Sequence, residues 1–232
     1  MIAAADLGTN NLVAITANVP GFQPVLINGR PLKSVNQFYN MRRAQIQSAS
    51  NLSTSLRLKH FTTRRNHIVK DYRHRASTFV INLLADAGIN KLVLGKNKGW
   101  KNRVNIGSSH NQNFVFIPHA QFIEMLKYKG SQRGIEVIVQ EESYTSKASF
   151  LDRDPIPTYQ QKPDGWKPSG RRVKRGLYVT KNGIALNADV NGSYNILVKA
   201  FPNAFGIGDR VVLVTPRKVN LDGHAPVLVS PF

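Results

Sequence analysis

A mixed α/β fold is the expectation from this sequence, and three observations carry it. The chain opens with three short apolar runs set apart by turn residues, the pattern of an antiparallel meander. A proline-free stretch of helical periodicity follows, from Lys33 to about Ala87. After it, apolar strand-like runs alternate with amphipathic helices, as in parallel crossover units.

The opening runs are "IAAADLG", "NLVAITANV" and "PVLING", punctuated by Gly-Thr-Asn-Asn and Pro20-Gly21. In the next stretch Phe61, Ile68, Phe79, Leu83 and Leu84 recur at helical spacing among basic and polar residues. The spacing predicts two long amphipathic helices that break near "SASNLSTS" and end at Gly88. "KLVLGKN" reads as a buried strand. "PHAQFIEMLKYKGSQRG" has proline at its start and glycine at its end, the two stop signals of a helix. "IEVIVQEESY" reads as the next strand. Residues 151–186 hold four prolines and several glycines and are expected to be an irregular insertion. "NADVNGSYNILVKAF" resumes helical periodicity, and the segment beyond Pro202 contains one strand-like run, "RVVLVTP". This order of elements is that of a ribonuclease-H-like domain. The expected division is a nuclease-type domain over 1–205, with a basic helical segment at 33–90 and the insertion at 151–186, then a C-terminal tail over 206–232.

Charge narrows the partners. Lys and Arg number 32 against 13 Asp and Glu, a formal net charge of +19 in 232 residues. Such an imbalance attracts polyanions, and nucleic acid leads. From Arg30 to Arg75 the only acid is Asp71, so a helix face there repels itself unless it meets phosphates. Arg42, Arg43, Arg64, Arg65 and Arg73 are the expected contacts in that stretch. A second cluster, Arg171, Arg172, Lys174 and Arg175, is expected to serve likewise on the insertion. His60, His67 and His74 repeat every seven residues, too far apart along a helix for a shared metal ion, and join the phosphate-facing surface. Trp100 and Trp166 are flanked by lysines in expected loops and either stack on bases or anchor those loops. There is no apolar run of membrane-spanning length and no signal peptide, so a soluble, cytoplasmic and nucleoid-associated protein is expected. The absence of cysteine excludes disulfides, thiol catalysis and Cys-ligated zinc.

The scarce carboxylates can be read one at a time. Asp71, Asp86 and Glu124 fall on expected helices among basic neighbours. Asp6 ends the apolar run "IAAA", where an unpaired buried carboxylate is costly unless it meets a cation or hydrogen-bond donors. Asp189 lies at a helix start, where an acid also favours the helix dipole. Glu141 and Glu142 end a strand, and alternation sends them to opposite faces, so only one can join Asp6 and Asp189. Three such carboxylates repel one another unless they share hard cations, and a pair of Mg²⁺ ions suits phosphodiester cleavage.

Three motifs in order, "DLGTNN", "YTSK" and "NADVNGSYNI", resemble the RuvC-type nuclease half of the TnpB (OrfB) family. These are transposon-encoded RNA-guided DNA endonucleases related to type V CRISPR effectors. The resemblance covers nearly the whole chain, and it implies Asp6 as the first catalytic acid and Asp189 as the last. It implies DNA and a guide RNA as partners, with no membrane. The chain departs from the family in three ways. The strand that usually ends in the catalytic glutamate matches "KLVLGKN", with Gly95 or Lys96 where the acid should be. Some members of the wider family instead carry a glutamate three residues before the Thr of "TSK", which here is Glu142, with Glu141 as the alternative. The zinc-ribbon cysteines are missing, so no zinc is expected and "KASFLDRDPIPTY" stands in their place. The N-terminal half is also missing, so a truncated copy or fragment is expected. Actin-like ATPases and sugar kinases share the Asp-x-Gly-Thr opening but need a second Gly-rich phosphate turn that this chain lacks. The expectation is therefore a two-Mg²⁺ endonuclease using Asp6, Glu142 and Asp189. The alternative is a nucleic-acid-binding remnant without catalysis.

Overall fold

The computed structural model describes residues 1–50, 53–96, 117–206, 212–221 and 227–229. Trp100, Asp209, Asp222 and most of the loop after "KLVLG" lie outside them.

The opening meander forms as expected: β1 (Ile2–Leu7), β2 (Asn11–Ala17) and β3 (Val25–Asn28) pair antiparallel in sequence order. Two helices follow, α1 (Arg30–Ser50) and α2 (Leu56–Asp86), the second started by Ser55, whose side chain accepts from the Leu58 N–H. β4 (Lys91–Gly95), α3 (His119–Gln132) and β5 (Glu136–Gln140) then make a parallel crossover unit beside β1. After the insertion comes α4 (Ala188–Ala200). The segment expected to be a tail contributes two strands, β9 (Arg217–Asn220) and β10 (Val227–Val229), to the far edge. Among the described residues seven strands form one sheet in the order β10-β9-β3-β2-β1-β4-β5. The tail strand begins at Arg217, downstream of the run "RVVLVTP", because its partner β3 pairs with Arg217, Lys218 and Val219.

Strand alternation divides the core between two faces. Ala3, Ala5 and Leu7 of β1 face α2 and α3, packing with Val69, Tyr72, Ala76, Val80, Leu84, Phe122 and Leu126. Ala4 faces the other way, toward Ile196 and Leu197 of α4. The stripe that α2 buries differs from the expected one at Ile68, which is 44% exposed, while neighbouring Val69 is buried. A run of helical spacing fixes the period but not which of two adjacent aliphatics faces inward.

The insertion is irregular over 151–170, but its second part is a small sheet. β6 (Arg171–Lys174), β7 (Leu177–Val179) and β8 (Ala185–Asn187) form a separate three-stranded antiparallel sheet, and β8 runs directly into α4. These strands have three or four residues and follow proline- and glycine-rich sequence, which hides them from pattern reading. The strand expected over "IEVIVQEESY" stops at Gln140. Among the described residues its ladder partner is β4, which ends at Gly95 opposite Gln140.

Candidate active site

The site assembles at the C-terminal ends of β1 and β4, on the face covered by α4. Asp6 has the same parity as Ala4 and therefore points toward α4, where Gly192 makes room for it. A Cβ on Gly192 would lie 2.8 Å from Asp6 Oδ2. β1 and β4 pair in register up to Ala5 with Leu94. One residue further along lie Asp6 and Gly95, side by side and facing the same way.

Of the two glutamates, Glu142 is the one that lies against Gly95. A Cβ built on it would fall 2.3 Å from Glu142 Oε2 and 2.5 Å from Ile196 Cδ1. The carboxylate of Glu142 thus occupies the space that a side chain on the end of β4 would fill, beside Asp6. The turn that delivers it is tied down at Glu142's own carbonyl, which accepts from Thr145 Oγ1 at 2.8 Å and from the Thr145 N–H at 3.2 Å. The chain then passes through Tyr144 in left-handed conformation, φ 67°.

Glu141 is held elsewhere. Its Oε1 accepts from the Ser143 N–H at 2.6 Å, and its Oε2 forms an ion pair with Lys199 Nζ at 2.6 Å. The Lys199 side chain is 7% exposed and also donates to the carbonyls of Ser143 and Pro157. Burial works to raise the Glu141 pKa, but hydrogen bonds from Lys199 and Ser143 outweigh it and the net shift is downward. The two glutamates do part company as expected, though by a turn beyond the strand rather than by pleat alternation.

Asp189 lies in the first turn of α4, below the N-cap Asn187, whose side chain accepts from the Asp189 and Val190 N–H groups. Its Oδ2 accepts from Asn11 Nδ2 at 2.7 Å, and its Oδ1 is 3.7 Å from Arg172 Nη2. The motif "DLGTNN" therefore supplies one acid and, five residues on, the amide that orients another. Its turn is tight, with a Cβ on Gly8 placed 2.7 Å from the Asn11 carbonyl oxygen. The same turn is braced by buried His119, whose Nε2 is 3.0 Å from the accepting Gly8 carbonyl.

The electrostatics are those of crowded, desolvated acids. Burial, then Glu142 and then Asp189 push the Asp6 pKa well above the ordinary aspartate range, with Arg172 opposing. Burial first, and Glu141 second, raise Glu142 to about 7, with Lys199 opposing. Hard oxygen donors with raised pKa values suit a divalent cation, which would relieve the repulsion. Glu142 and Asp189 lie near enough to Asp6 for their charges to act on it. Among the described residues, however, no three His, Asp or Glu side chains converge closely enough to enclose a single metal ion.

Several functional-looking residues were missed in the sequence. Asn191 and Asn195 lie four apart on α4, on the side of the helix facing the "TSK" turn. Asn195 Nδ2 donates to the Thr145 and Ala148 carbonyls at 2.8 and 2.7 Å. Asn191 donates to Ala148 and accepts from the Phe150 N–H. Ser193 bonds the Ala4 carbonyl and Thr16. The signal that could have found them is Asn187, Asn191 and Asn195 at a strict spacing of four, polar residues in a helix otherwise buried.

The basic residues divide. Arg42, Arg43 and Arg64 are exposed, and Arg42, Arg57, His60 and Arg64 line a groove of about 490 Å³ with Ile46 and Phe61 in its floor. Arg65 and Arg73 turn inward, contrary to the expectation of phosphate contacts. Arg65 bonds Asn36 and lies over Tyr39, while Arg73, 4% exposed, donates to Gln121 and to the Val69 and Pro118 carbonyls. On a helix pair packed this closely, a guanidinium is long enough to strut two elements. Arg171, Arg172, Lys174 and Arg175 are all exposed on or beside β6, and Arg172 alone of them reaches the carboxylates. Trp166 anchors its loop, donating to the Pro155 carbonyl at 2.9 Å with its ring edge against Tyr144. His60, His67 and His74 run along α2, with His60 and His67 exposed.

Comparison with known proteins bears on the family and the fold. Residues 1–101 match the family model OrfB_IS605, described as a probable transposase, and residues 119–196 match the TNB domain of Cas12f1-like proteins. A cryo-EM structure of a Cas12f1–sgRNA–target DNA complex has a TM-score of 0.60 at 17% identity, covering 84% of this chain and 49% of that one. A cryo-EM structure of a CRISPR–Cas12f ternary complex gives 0.56 at 16% identity, over 84% of this chain and 38% of the other. The chain thus spans about half the length of the first relative and less of the second, and at these identities the likeness is one of fold. No curated protein matched it significantly. Among the described residues no helix is long and apolar enough to cross a membrane. The two family matches follow one another along the chain, each over less than half of it, so the chain is similar to TnpB-like proteins in both parts and has a ribonuclease-H-like fold.

Proposed function

We propose that the chain is the nuclease portion of a TnpB-type, RNA-guided DNA endonuclease that hydrolyses phosphodiesters with Asp6, Glu142 and Asp189. The observation that carries this reading is the fit of the Glu142 carboxylate into the space left by Gly95, next to Asp6. A strand end that lacks its acid has been refilled from the neighbouring turn.

The three carboxylates would hold two Mg²⁺ ions, which when bound activate a water and stabilise the leaving oxygen. The remaining roles belong to side chains already in place. Asn11 fixes the orientation of Asp189. Arg172 can leave Asp189 for a phosphate oxygen once cations neutralise the acids. Thr145, Asn191 and Asn195 hold the turn that presents Glu142. The hairpin of α1 and α2 offers Arg42, Arg43 and Arg64 to the backbone of RNA or DNA, and β6 offers Arg171, Lys174 and Arg175. One relative of known structure is a complex with sgRNA and target DNA, which supports the same two partners here.

Mg²⁺-dependent cleavage of single-stranded DNA, lost in Asp6→Ala, is the expected result. The second reading, nucleic-acid binding without cleavage, is favoured by the lack of a three-ligand cluster among the described residues. Salt-sensitive binding with no cleavage under any divalent metal would establish it instead.

A further inference from the structure

The insertion has a hydrogen-bonded centre of its own, away from the site just described. Asp152 Oδ2 accepts from Ser149 Oγ at 2.6 Å, Ser169 Oγ at 3.0 Å and the Lys181 N–H at 3.0 Å. Two residues on, Asp154 Oδ2 accepts from the Ser149 N–H at 2.8 Å and the Ser169 N–H at 3.0 Å. Two carboxylates therefore gather three segments far apart in sequence: the turn at 149–154, the residues leading into β6, and the turn between β7 and β8. In cysteine-bearing small sheets a cation collects anionic ligands. Here the polarity is reversed, and an anion collects N–H and O–H donors. Burial alone would raise the Asp152 pKa, but hydrogen bonds from Ser149, Lys181 and Ser169 outweigh it and the net shift is downward, as for a carboxylate that stays charged.

The consequence reaches the active site through chain connectivity. Ser169 is two residues from Arg171, where β6 begins, and β6 carries Arg172 to within 3.7 Å of Asp189. Lys181 lies in the turn from which β8 enters α4 and Asp189. The pivot is tight, since a Cβ on Gly170 would lie 2.7 Å from both Tyr178 Cε1 and the Val179 carbonyl oxygen. On its other side the Tyr178 hydroxyl donates to the Lys147 carbonyl at 2.8 Å.

We propose that Asp152 is a positioning residue, the centre of a metal-independent clamp that fixes the three-stranded sheet and so holds Arg172 beside Asp189. The clamp itself stands on geometry alone, whereas its catalytic consequence rests on the reading of Asp189 as an active-site acid. The test has two arms, so that the two can fail separately.

Hydrogen exchange on the full chain reads the clamp. In Asp152→Asn the N–H groups of Ser169, Lys181, β6 and β7 should exchange about tenfold or more faster, while those of β1 and β4 stay within about twofold. Ser169→Ala, which removes one donor, should give a smaller change at the same amides, and this milder variant covers the case in which Asp152→Asn fails to fold. EDTA should leave parent exchange there unchanged. Unchanged protection in both variants, or loss of parent protection in EDTA, overturns the clamp.

A double-mutant cycle on DNA cleavage reads the positioning. Arg172→Gln should slow the parent but add less than about twofold in an Asp152→Asn background. Fully additive losses would show that Asp152 does not act through Arg172. Absence of cleavage in the parent would count against the nuclease reading and leave the exchange result standing.

Discussion

Both faces of the sheet bury apolar side chains, but the α4 face adds buried polar latches to them. On one, α1, α2 and α3 pack by apolar burial, and their charges either face solvent or serve as struts between helices. On the other, α4 is fastened to the "TSK" turn by asparagine side chains bonded to backbone carbonyls, and the insertion is fastened by aspartates. Burial is additive and forgiving of shape, whereas a latch of buried polar groups fixes one geometry. The candidate site lies on the latched face, where carboxylates must be held within a fraction of an ångström.

The sharpest way to break that contrast is Gly95→Ala. The new Cβ would contest the space of the Glu142 carboxylate and of Ile196, and a displacement of about 1 Å in a reacting group costs about a hundredfold in rate. Cleavage should fall by at least about that factor, while conventional denaturation shows a loss of about 1–3 kcal/mol from overpacking.

Asn195→Ala is next. It strips a donor from the Thr145 and Ala148 carbonyls, though Ala148 keeps Asn191, and should cost about 2–3 kcal/mol in chemical denaturation.

pH gives a third comparison. The folded-state pKa values of Asp6 and Glu142 lie above their ordinary ones, so the native protein binds more protons than the unfolded chain as pH rises from about 4.5 toward 7. Stability of the metal-free protein should therefore fall by about 2 kcal/mol from pH 5 to pH 8, after a discount for partial solvent access to Glu142. Added Mg²⁺ should restore it at pH 8. A melting temperature that rises over that interval without metal contradicts the assignment.

The smallest effect on stability belongs to the basic hairpin. Arg64→Gln should change unfolding by less than about 0.5 kcal/mol, yet lower the slope of log binding constant against log salt by about one. The same substitution at Arg73 should behave oppositely, weakening the fold with little change in the salt slope, because its guanidinium bonds Gln121 and backbone carbonyls.

This division also explains what could be read from the sequence. Apolar periodicity and turn residues are local, so the meander, both long helices and the crossover unit were legible. Charge is local too, but whether an arginine faces water or a neighbouring helix depends on partners distant in sequence, which is why Arg65 and Arg73 misled. The three acids proposed for the site could be singled out because carboxylates are scarce and stand at element ends, and the resemblance to the family pointed to Glu142. Asn11 and Lys199 were not, since each bonds a carboxylate remote in sequence, and Asn191 and Asn195 leave as their trace a spacing of four on α4. Nor was the short sheet of the insertion legible, whose three- and four-residue strands bury Tyr178 and Leu186 in a small apolar cluster and whose turns are bonded by Asp152 and Asp154.

The central claim is that Glu142, and not Glu141, completes the site with Asp6 and Asp189. Calorimetric titration of Mg²⁺ at pH 8 into Glu142→Gln and Glu141→Gln tests it most directly, because it needs neither guide nor target. Glu142→Gln should weaken binding by about tenfold or more, and Glu141→Gln by less than about threefold, since Glu141 serves Lys199 rather than the cation. The reverse order, or equal losses, would contradict the account.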